Sequence, residues 1–366
     1  MKLDIKSQRQ CIYCHNFCKF SCSPYLSEKD QKILQTQRNY LIYLHNNKKL
    51  KLDAELGRSV YLCNDCKRCE YYCIYDGKDV LPNNRYSKEL IFKNGFAPDE
   101  VYKIEENLKK YKNAFGLDTK KKKINKSYHH DDNEYDIYIY SGDYVKHLEP
   151  QVFDSFVKIL DMLDISYVYD EDEISDGILA LDLGMADLSK NLMEENFCKI
   201  NKYKFKKMVV LSPECCYGFK VEYEKFGYKF KNNVVHYTEF INDYINNIKV
   251  SKTNDRIKYF DPCKLGRFLG IFEEPRNILT KLFGAKDFEF FKNKEESNCC
   301  GGYISLYDRD FSNNISMDII RECKESGCNV LITACPLCLN NLKRAGSDCR
   351  IKIYDLLEYI DMHLER

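Results

Sequence analysis

The chain has 366 residues, which is enough for two or three domains with buried cores. Its 57 basic and 56 acidic residues give a formal net charge of +1, so overall charge gives no reason to expect nucleic acid, a membrane surface or a strongly acidic partner. The 19 cysteines are too many for packing alone, while the charged N-terminus and the lack of a long apolar run predict neither a secretion signal nor a membrane-spanning helix. We therefore expect a cytoplasmic protein whose thiols bind metal and which reaches a membrane only through a partner.

Two cysteine motifs occupy the N-terminal part of the chain. Their thiols are Cys11, Cys14, Cys18, Cys22, Cys63, Cys66, Cys69 and Cys73. The second motif matches the run that binds a cubane [4Fe-4S] cluster except that Ile74 replaces the usual proline, and the first motif has one extra residue before its third cysteine. A pair of zinc sites is the alternative, but zinc usually takes two CxxC pairs joined by a longer spacer. Four cysteines within 11 or 12 residues, twice, favour two [4Fe-4S] clusters.

The order of the cysteines also predicts which cluster each one binds. In two-cluster ferredoxins the fourth cysteine of a run ligates the other cluster. This rule predicts a first thiol set, which consists of Cys11, Cys14, Cys18 and Cys73. It predicts a second thiol set, which consists of Cys63, Cys66, Cys69 and Cys22. Crossed ligation of this kind would hold the two clusters close enough for rapid electron transfer.

Helices are predicted around these motifs, at residues 27–46, 53–62 and 86–113, with breaks in the last at Gly95 and Pro98. These segments place a first domain at residues 1–116. A charged, polar linker follows at residues 117–134, and it includes Lys120 to Lys123, His129 and His130. Runs of this kind are usually solvated connectors, so we assign the two histidines no function.

The remainder of the chain is an internal repeat. Residues 135–247 and 257–363 share a pattern of short apolar strands and amphipathic helices at an offset of about 123 residues. Strands are predicted at 137–140, 208–211 and 234–236 in the first copy, and at 257–260, 330–333 and 351–353 in the second. Alternating strands and helices predict α/β units with parallel sheets, whose ligands gather at the carboxyl ends of the strands.

The second copy carries five further cysteines in the pattern C…CCGG…CPxC. They form the C-terminal thiol set, which consists of Cys263, Cys299, Cys300, Cys335 and Cys338. Adjacent cysteines can serve one metal centre only where the backbone turns sharply, and glycine permits such a turn. The near-equal intervals between these thiols predict a metal cluster. The pair Gly301 and Gly302 also predicts open space beside it.

This pattern resembles the cysteine-rich CCG domain of heterodisulfide reductase catalytic subunits, which also occurs in the iron–sulfur subunits of anaerobic glycerol-3-phosphate dehydrogenase and glycolate oxidase. The resemblance implies an all-α ferredoxin-like domain with two [4Fe-4S] clusters, followed by two α/β, Rossmann-like CCG domains at 135–250 and 255–366. It further implies that the C-terminal thiol set is the catalytic site and holds another iron–sulfur cluster, either a non-cubane [4Fe-4S] or a [2Fe-2S].

The first copy of the repeat has lost most of these thiols. Its equivalents of Cys263, Cys299, Cys300, Cys335 and Cys338 are Ser141, Ser175, Asp176, Ser212 and Cys215. Oxygen ligands hold iron–sulfur clusters poorly, so we expect this copy to have kept its fold and lost its cluster. A thiol or mixed-ligand site at Cys215 and Cys216 is the less favoured alternative.

The resemblance implies a multidomain oxidoreductase subunit of heterodisulfide reductase type, in which electrons pass through two cubane clusters to the C-terminal cluster and reduce a disulfide there. The alternative is a non-catalytic electron-transfer subunit for an FAD-linked dehydrogenase of glycerol-3-phosphate or a 2-hydroxy acid, feeding a quinone or carrier. A zinc-stabilised scaffold is a third and weaker hypothesis. Both redox hypotheses imply a flavoprotein or other redox subunit as partner, a membrane subunit reached only through that partner, and no nucleic acid.

Overall fold

The computed structural model describes residues 1–75, 77–118 and 134–365. Most of the predicted linker, with its run of lysines and both His129 and His130, lies outside these described residues. None of the described helices is long and apolar enough to cross a membrane.

Short helices surround the two N-terminal cysteine motifs, and no strand forms among residues 1–75 and 77–118. The helices are α1 (Ile5–Ile12), α2 (Ser23–Glu28), α3 (Gln35–Asn46), α4 (Ala54–Tyr61), α5 (Arg68–Tyr71), α6 (Leu81–Lys93) and α7 (Asp99–Tyr111), with 3₁₀ turns at Phe17–Phe20 and Gln31–Ile33. The predicted helical character of this part is confirmed.

The prediction of one helix over residues 27–46 is wrong. Helix α2 ends at Glu28 because Lys29 adopts a left-handed conformation with φ of 61°. Asp30 then begins the separate 3₁₀ turn by accepting a hydrogen bond from the Lys32 amide at 2.9 Å. Helix α3 starts only at Gln35. Asp30 therefore caps a single 3₁₀ turn and not the start of a long helix.

The two later helix predictions agree better with the structure. Helix α4 matches the predicted segment, and the Asp53 carboxylate caps it by accepting a hydrogen bond from the Leu56 amide at 2.8 Å. Helix α6 begins earlier than predicted because Pro82 fits in the first helical turn, where its missing N–H has no intrahelical partner to lose. The predicted break near Gly95 and Pro98 separates α6 from α7.

Two parallel sheets follow the helical part. The first has the order β2-β1-β3-β4, with β1 (Tyr135–Tyr140), β2 (Tyr167–Tyr169), β3 (Phe205–Val210) and β4 (Asn233–His236). The second has the order β5-β6-β7, with β5 (Ile257–Phe260), β6 (Val330–Thr333) and β7 (Lys352–Asp355). A single parallel bridge between Tyr259 and Glu289 takes the place that β2 has beside β1. The shared strand order agrees with the internal repeat seen in the sequence.

Helices connect the strands of both sheets. In the first copy they are α8 (Asp143–His147), α9 (Pro150–Leu163), α10 (Ile178–Asp182), α11 (Ala186–Ile200), α12 (Pro213–Tyr217), α13 (Tyr223–Lys225) and α14 (Tyr237–Asp243), with a π-helical turn at Gly218–Glu222 and a 3₁₀ turn at Ile245–Asn247. In the second copy they are α15 (Glu273–Phe283), α16 (Arg309–Glu325), α17 (Pro336–Ala345) and α18 (Leu356–His363), with a π-helical turn at Lys264–Phe268 and 3₁₀ turns at Lys294–Glu296 and Tyr303–Leu306. Helix α14, which follows β4, and helix α18, which follows β7, each begin with a capping box. Its N-cap residue is His236 in the first copy and Asp355 in the second.

The helical part and both sheets pack on one continuous apolar core, which includes Val101 of α7, Ile139 of β1 and Leu331 of β6. A buried ion-pair network also joins the three parts. Asp182 of the first copy lies 2.7 Å from Arg85 Nη2 of α6 and 2.9 Å from Lys264 Nζ of the second copy. A buried charge without a partner is strongly destabilising, so this network fixes how the three parts meet at the site described below.

Candidate metal centres

The structure brings the first thiol set together. Its four thiols, joined by Cys69, line a cavity of about 390 Å³ between the first motif and the chain after α5. The extra residue of the first motif is absorbed at Asn16, which adopts a left-handed conformation with φ of 63°. Asparagine is one of the few residue types that take this conformation readily. The longer spacing therefore does not prevent these cysteines from facing one cavity.

Burial and mutual repulsion disfavour the charged form of these thiols. Burial, together with the neighbouring thiols of Cys11 and Cys22, raises the pKa of Cys18 to about 12. Thiolates packed this closely repel one another unless a cation neutralises them, and metal ligation does so. The chemistry of this donor set therefore fits an iron–sulfur cluster.

Three thiols of the second set, those of Cys63, Cys22 and Cys69, lie near a buried arginine that the sequence reasoning missed. Burial lowers the pKa of Arg38, but the neighbouring thiols of Cys63 and Cys22, followed by Cys69, outweigh burial and raise it. Asn84 also donates a hydrogen bond to Cys63 Sγ at 3.5 Å. Arg38 stands on α3 among buried residues, and a cation in such a place needs negative charge beside it. Thiolates bound to a cluster would supply that charge.

The C-terminal thiol set lines a cavity of about 310 Å³. Cys263 follows β5, while Cys335 follows β6 and caps α17, so the carboxyl ends of two adjacent parallel strands deliver them, as the repeat predicts. The Sγ atoms of Cys300 and Cys338 lie 3.1 Å apart. Cys335 Sγ donates a hydrogen bond to Glu214 Oε1 at 3.2 Å. Glu214 belongs to the first copy of the repeat, so the site spans both copies.

The two glycines of the motif act differently from the prediction. Gly301 has φ of 78° and supplies the sharp turn after the paired cysteines. The prediction that the glycine pair opens space beside the cluster is wrong, because a Cβ at Gly302 would lie 2.8 Å from Leu337 Cγ. A Cβ at Gly301 would lie 3.0 Å from Ser312 Oγ. Both glycines therefore permit close packing of the loop rather than access to it.

The spacing of the thiols suits a multinuclear cluster better than a single metal ion. Among residues 1–75, 77–118 and 134–365, no three cysteine, histidine or acidic side chains are spaced to hold a single metal ion. A multinuclear cluster keeps its thiolates further apart than one ion does, because its own iron and sulfide atoms stand between them. The first and C-terminal thiol sets each line one cavity, so the thiols of each set face a shared space that a cluster would fill.

The second thiol set touches the C-terminal thiol set. The neighbouring thiol of Cys299 lowers the pKa of Cys66. Arg267 Nε donates to the Cys66 carbonyl at 2.6 Å, and the Cys299 amide donates to Ser23 Oγ at 3.1 Å. Sequence reasoning placed these thiols in two separate domains and gave no signal of the contact. The fold nevertheless makes them direct neighbours.

A further cavity, of about 410 Å³, lies in the first copy and adjoins the C-terminal one. Four of its lining residues are the first-copy equivalents of cluster ligands, namely Ser175, Asp176, Ser212 and Cys215. The two cavities share Glu214, Tyr303 and Leu337. Local sequence pattern gives no signal of this shared position of Glu214.

Two predicted members of the first-copy site lie apart from this cavity. The Ser141 hydroxyl donates to Glu173 Oε1 at 2.6 Å, and neither Ser141 nor Cys216 lines the cavity. Burial raises the pKa of Asp143 to about 7 and that of Asp176 to about 6. The first-copy cavity is thus lined largely by carboxyl and hydroxyl groups, beside a cavity lined by thiols.

Comparison with known proteins shows which families and proteins this chain resembles. Residues 257–343 match the family described as Cysteine-rich domain, CCG. The chain is 24% identical over 346 residues to the "Probable iron-sulfur-binding oxidoreductase FadF" of Bacillus subtilis, covering 87% of this chain and 48% of that protein. It is 31% identical over 195 residues to one subunit of the "Dihydromethanophenazine:CoB--CoM heterodisulfide reductase" of Methanosarcina acetivorans, covering 50% of this chain and 48% of that one.

A third relative, the "EtfAB:quinone oxidoreductase" of Syntrophomonas wolfei, is 25% identical over 341 residues, covering 85% of this chain and 47% of that protein. The chain therefore spans about half the length of these curated relatives. Among solved structures, a hypothetical protein from Helicobacter pylori shares the fold, with a TM-score of 0.61 at 9% identity over 100% of this chain and 73% of that one.

Proposed function

Because this chain belongs to the heterodisulfide reductase-like iron–sulfur proteins that carry a CCG cysteine-rich domain, we propose that it is an oxidoreductase subunit that passes electrons from a redox partner to a disulfide. The observation that supports the proposal most directly is the contact between the loops of the second and C-terminal thiol sets, in which the Cys299 amide donates to Ser23 Oγ at 3.1 Å and Arg267 Nε donates to the Cys66 carbonyl at 2.6 Å. It makes the predicted second cluster site and the C-terminal site neighbours.

The residues divide into three binding sites. The first and second thiol sets would each hold a [4Fe-4S] cluster within residues 1–116, and the C-terminal thiol set would hold a further iron–sulfur cluster within residues 255–366. Residues 117–134 connect the helical domain to the first CCG-like copy at 135–250. When bound, the clusters accept and release single electrons.

The chain's own side chains fix the contact between the second and C-terminal sites. Arg68 Nη1 donates to the Ser21 carbonyl at 2.7 Å and to Asn298 Oδ1 at 2.6 Å, so it ties both cysteine loops together. Asn64 Oδ1 accepts a hydrogen bond from the Ile304 amide at 3.0 Å just beyond the CCGG turn. These bonds hold the loops that carry the thiols in one arrangement, which short-range electron transfer requires.

The paired cavities supply what disulfide reduction needs besides electrons. Reduction of one disulfide to two thiols consumes two electrons and two protons. Asp143 can hold a proton near neutral pH, because burial raises the pKa of its carboxyl group to about 7. Glu214 connects the two cavities, since its Oε1 accepts a hydrogen bond from Cys335 and its Oε2 accepts one from the Ser212 hydroxyl. Glu214 therefore stands between the carboxyl groups of the first-copy cavity and the thiol-lined cavity.

The second candidate function is a non-catalytic electron-transfer subunit for a flavoprotein dehydrogenase. The coverage of the relatives favours it: FadF and the EtfAB:quinone oxidoreductase align with 87% and 85% of this chain, whereas the heterodisulfide reductase relative aligns with 50%. In this function the C-terminal cluster passes electrons to a quinone or carrier. A cytoplasmic location, peripheral to a membrane through a partner, suits both functions.

Thiol binding distinguishes the two functions. A disulfide-reducing site must bind a thiolate at iron, which prefers sulfur ligands, and binding should change the EPR spectrum of that centre alone. We expect oxidised, anaerobically prepared protein to give a new paramagnetic signal with at least one member of a panel of small thiols, and the Cys300→Ser variant to lack it. An unchanged spectrum with every thiol, together with rapid reduction by a flavoprotein, would assign the chain to electron transfer alone.

A further inference from the structure

Exposed apolar side chains surround the first thiol set. Each lies within two positions of one of its thiols, and together they form the apolar rim, which consists of Tyr13, Phe17, Phe20, Tyr71 and Ile74. Between 51% and 77% of each side chain is exposed. Phe17 and Ile74 also line the cavity that these thiols share. The C-terminal thiols differ, since Cys299 and Cys338 are each only 2% exposed beneath both copies of the repeat.

Three cationic side chains lie in the same N-terminal segment as the first motif. Lys6 and Arg9 are exposed on α1, and Lys19 lies between two rim residues with its Nζ 5.0 Å from the centre of the Phe20 ring. None of the three forms an ion pair with another described residue. The acidic residue of this segment, Asp4, is engaged as the cap of α1, where it accepts a hydrogen bond from the Ser7 amide at 3.0 Å.

The opposite side of the rim has a different charge. There, Tyr71 of α5 lies beside Glu296 and Glu295, because α5 packs against the 3₁₀ turn at Lys294–Glu296. The overall net charge of +1 thus conceals a local separation, with a basic surface next to α1 and an acidic one next to Tyr71. Local charge of this kind steers the approach of a partner, because it acts within about 10 Å at moderate salt.

We propose that the apolar rim, together with Lys6, Arg9 and Lys19, docks a small electron-transfer protein with an acidic surface. The proposal rests on the proposed function of the first thiol set. The apolar side chains would contact the edge of the partner's own redox group, while the cations pair with its acidic residues. Electron-transfer complexes have small interfaces, so a rim of this size is sufficient. One electron moves from the reduced partner to this chain, and no bond or proton changes.

A charge-reversal variant tests the proposal. Lys6→Glu, Arg9→Glu and Lys19→Glu are combined, and Lys252→Glu, Lys281→Glu and Lys286→Glu form the matched control, since those three lysines are exposed and lie outside the helical part. The probe is a reduced flavodoxin, an acidic one-electron carrier. At low salt we expect the triple variant to accept electrons from flavodoxin at least about tenfold more slowly than wild type and to bind it correspondingly more weakly in a direct binding assay, with the control unchanged.

Three results would overturn the docking surface: equal rates and affinities for the triple variant and its control, rates that do not fall with added salt, or tighter binding of a basic carrier such as a cytochrome c. Reduction by methyl viologen, which needs no docking, separates this outcome from failure of the proposed function. If methyl viologen reduces wild type and both variants alike, the clusters are present and only docking is under test. If it reduces none of them, the proposed function fails, while the flavodoxin binding assay still decides the docking surface.

Discussion

The Cys300→Ser variant is expected to lose one of three EPR-active centres and all disulfide-reducing activity, while both cubane signals remain. Cys300 is buried, and its Sγ lies 3.1 Å from that of Cys338, so its replacement removes a ligand from the centre of the C-terminal thiol set. A serine oxygen holds iron of such a cluster poorly. We expect about four irons to be lost from a total of about twelve. Iron analysis and EPR of anaerobically purified protein measure both effects.

Cys215→Ser is the matched control for this experiment. Cys215 is also buried, and it occupies the position of Cys338 in the first copy, beside Ser175, Asp176 and Ser212. Because one thiol among oxygen groups does not make an iron–sulfur ligand set, this variant should keep the full iron count. Loss of iron from Cys215→Ser would mean that the first copy is itself a cluster site.

The second large effect concerns crossed ligation in the helical domain. Cys73→Ser is expected to perturb the same cubane signal as Cys14→Ser, although Cys73 belongs to the second cysteine motif and Cys14 to the first. The reason is geometric, since Cys73 and Cys14 line one cavity. Comparison of the EPR spectra and redox titrations of the two variants measures the effect. Cys349→Ser serves as the control, because Cys349 lines none of the thiol cavities.

The opposite pattern would contradict crossed ligation. If each motif bound its own cluster, Cys73→Ser would alter the signal that Cys66→Ser alters and leave the signal of Cys14→Ser intact. The position of Cys22 gives the reciprocal test, because its thiol lies with those of Cys63 and Cys69 beside Arg38. Cys22→Ser should therefore perturb the same centre as Cys63→Ser.

Much of this arrangement follows from local sequence pattern. The alternation of strands and helices predicts the parallel sheets, and the carboxyl ends of β5 and β6 deliver Cys263 and Cys335 to one place because parallel strands share an edge. The turn after Cys300 is predictable in the same way, since only a glycine such as Gly301 takes its φ of 78° readily.

Other features depend on how separate segments pack, which local pattern does not encode. The contact of Cys66 with Cys299 joins residues of two domains, and it arises from the docking of the helical part on the second sheet. Glu214 connects the two cavities only because the copies of the repeat face each other. The helix predicted from residue 27 fails for a local reason instead, because Lys29 takes a left-handed conformation that helix propensity does not anticipate.

We expect this chain to hold three iron–sulfur sites, which electrons pass one after another. Iron and acid-labile sulfide analysis of anaerobically purified protein, combined with EPR, tests it most directly. We expect about twelve irons for each chain, or about ten if the C-terminal centre is a [2Fe-2S] cluster, together with two cubane signals and a third distinct centre. Stoichiometric zinc with little iron or sulfide would contradict the account.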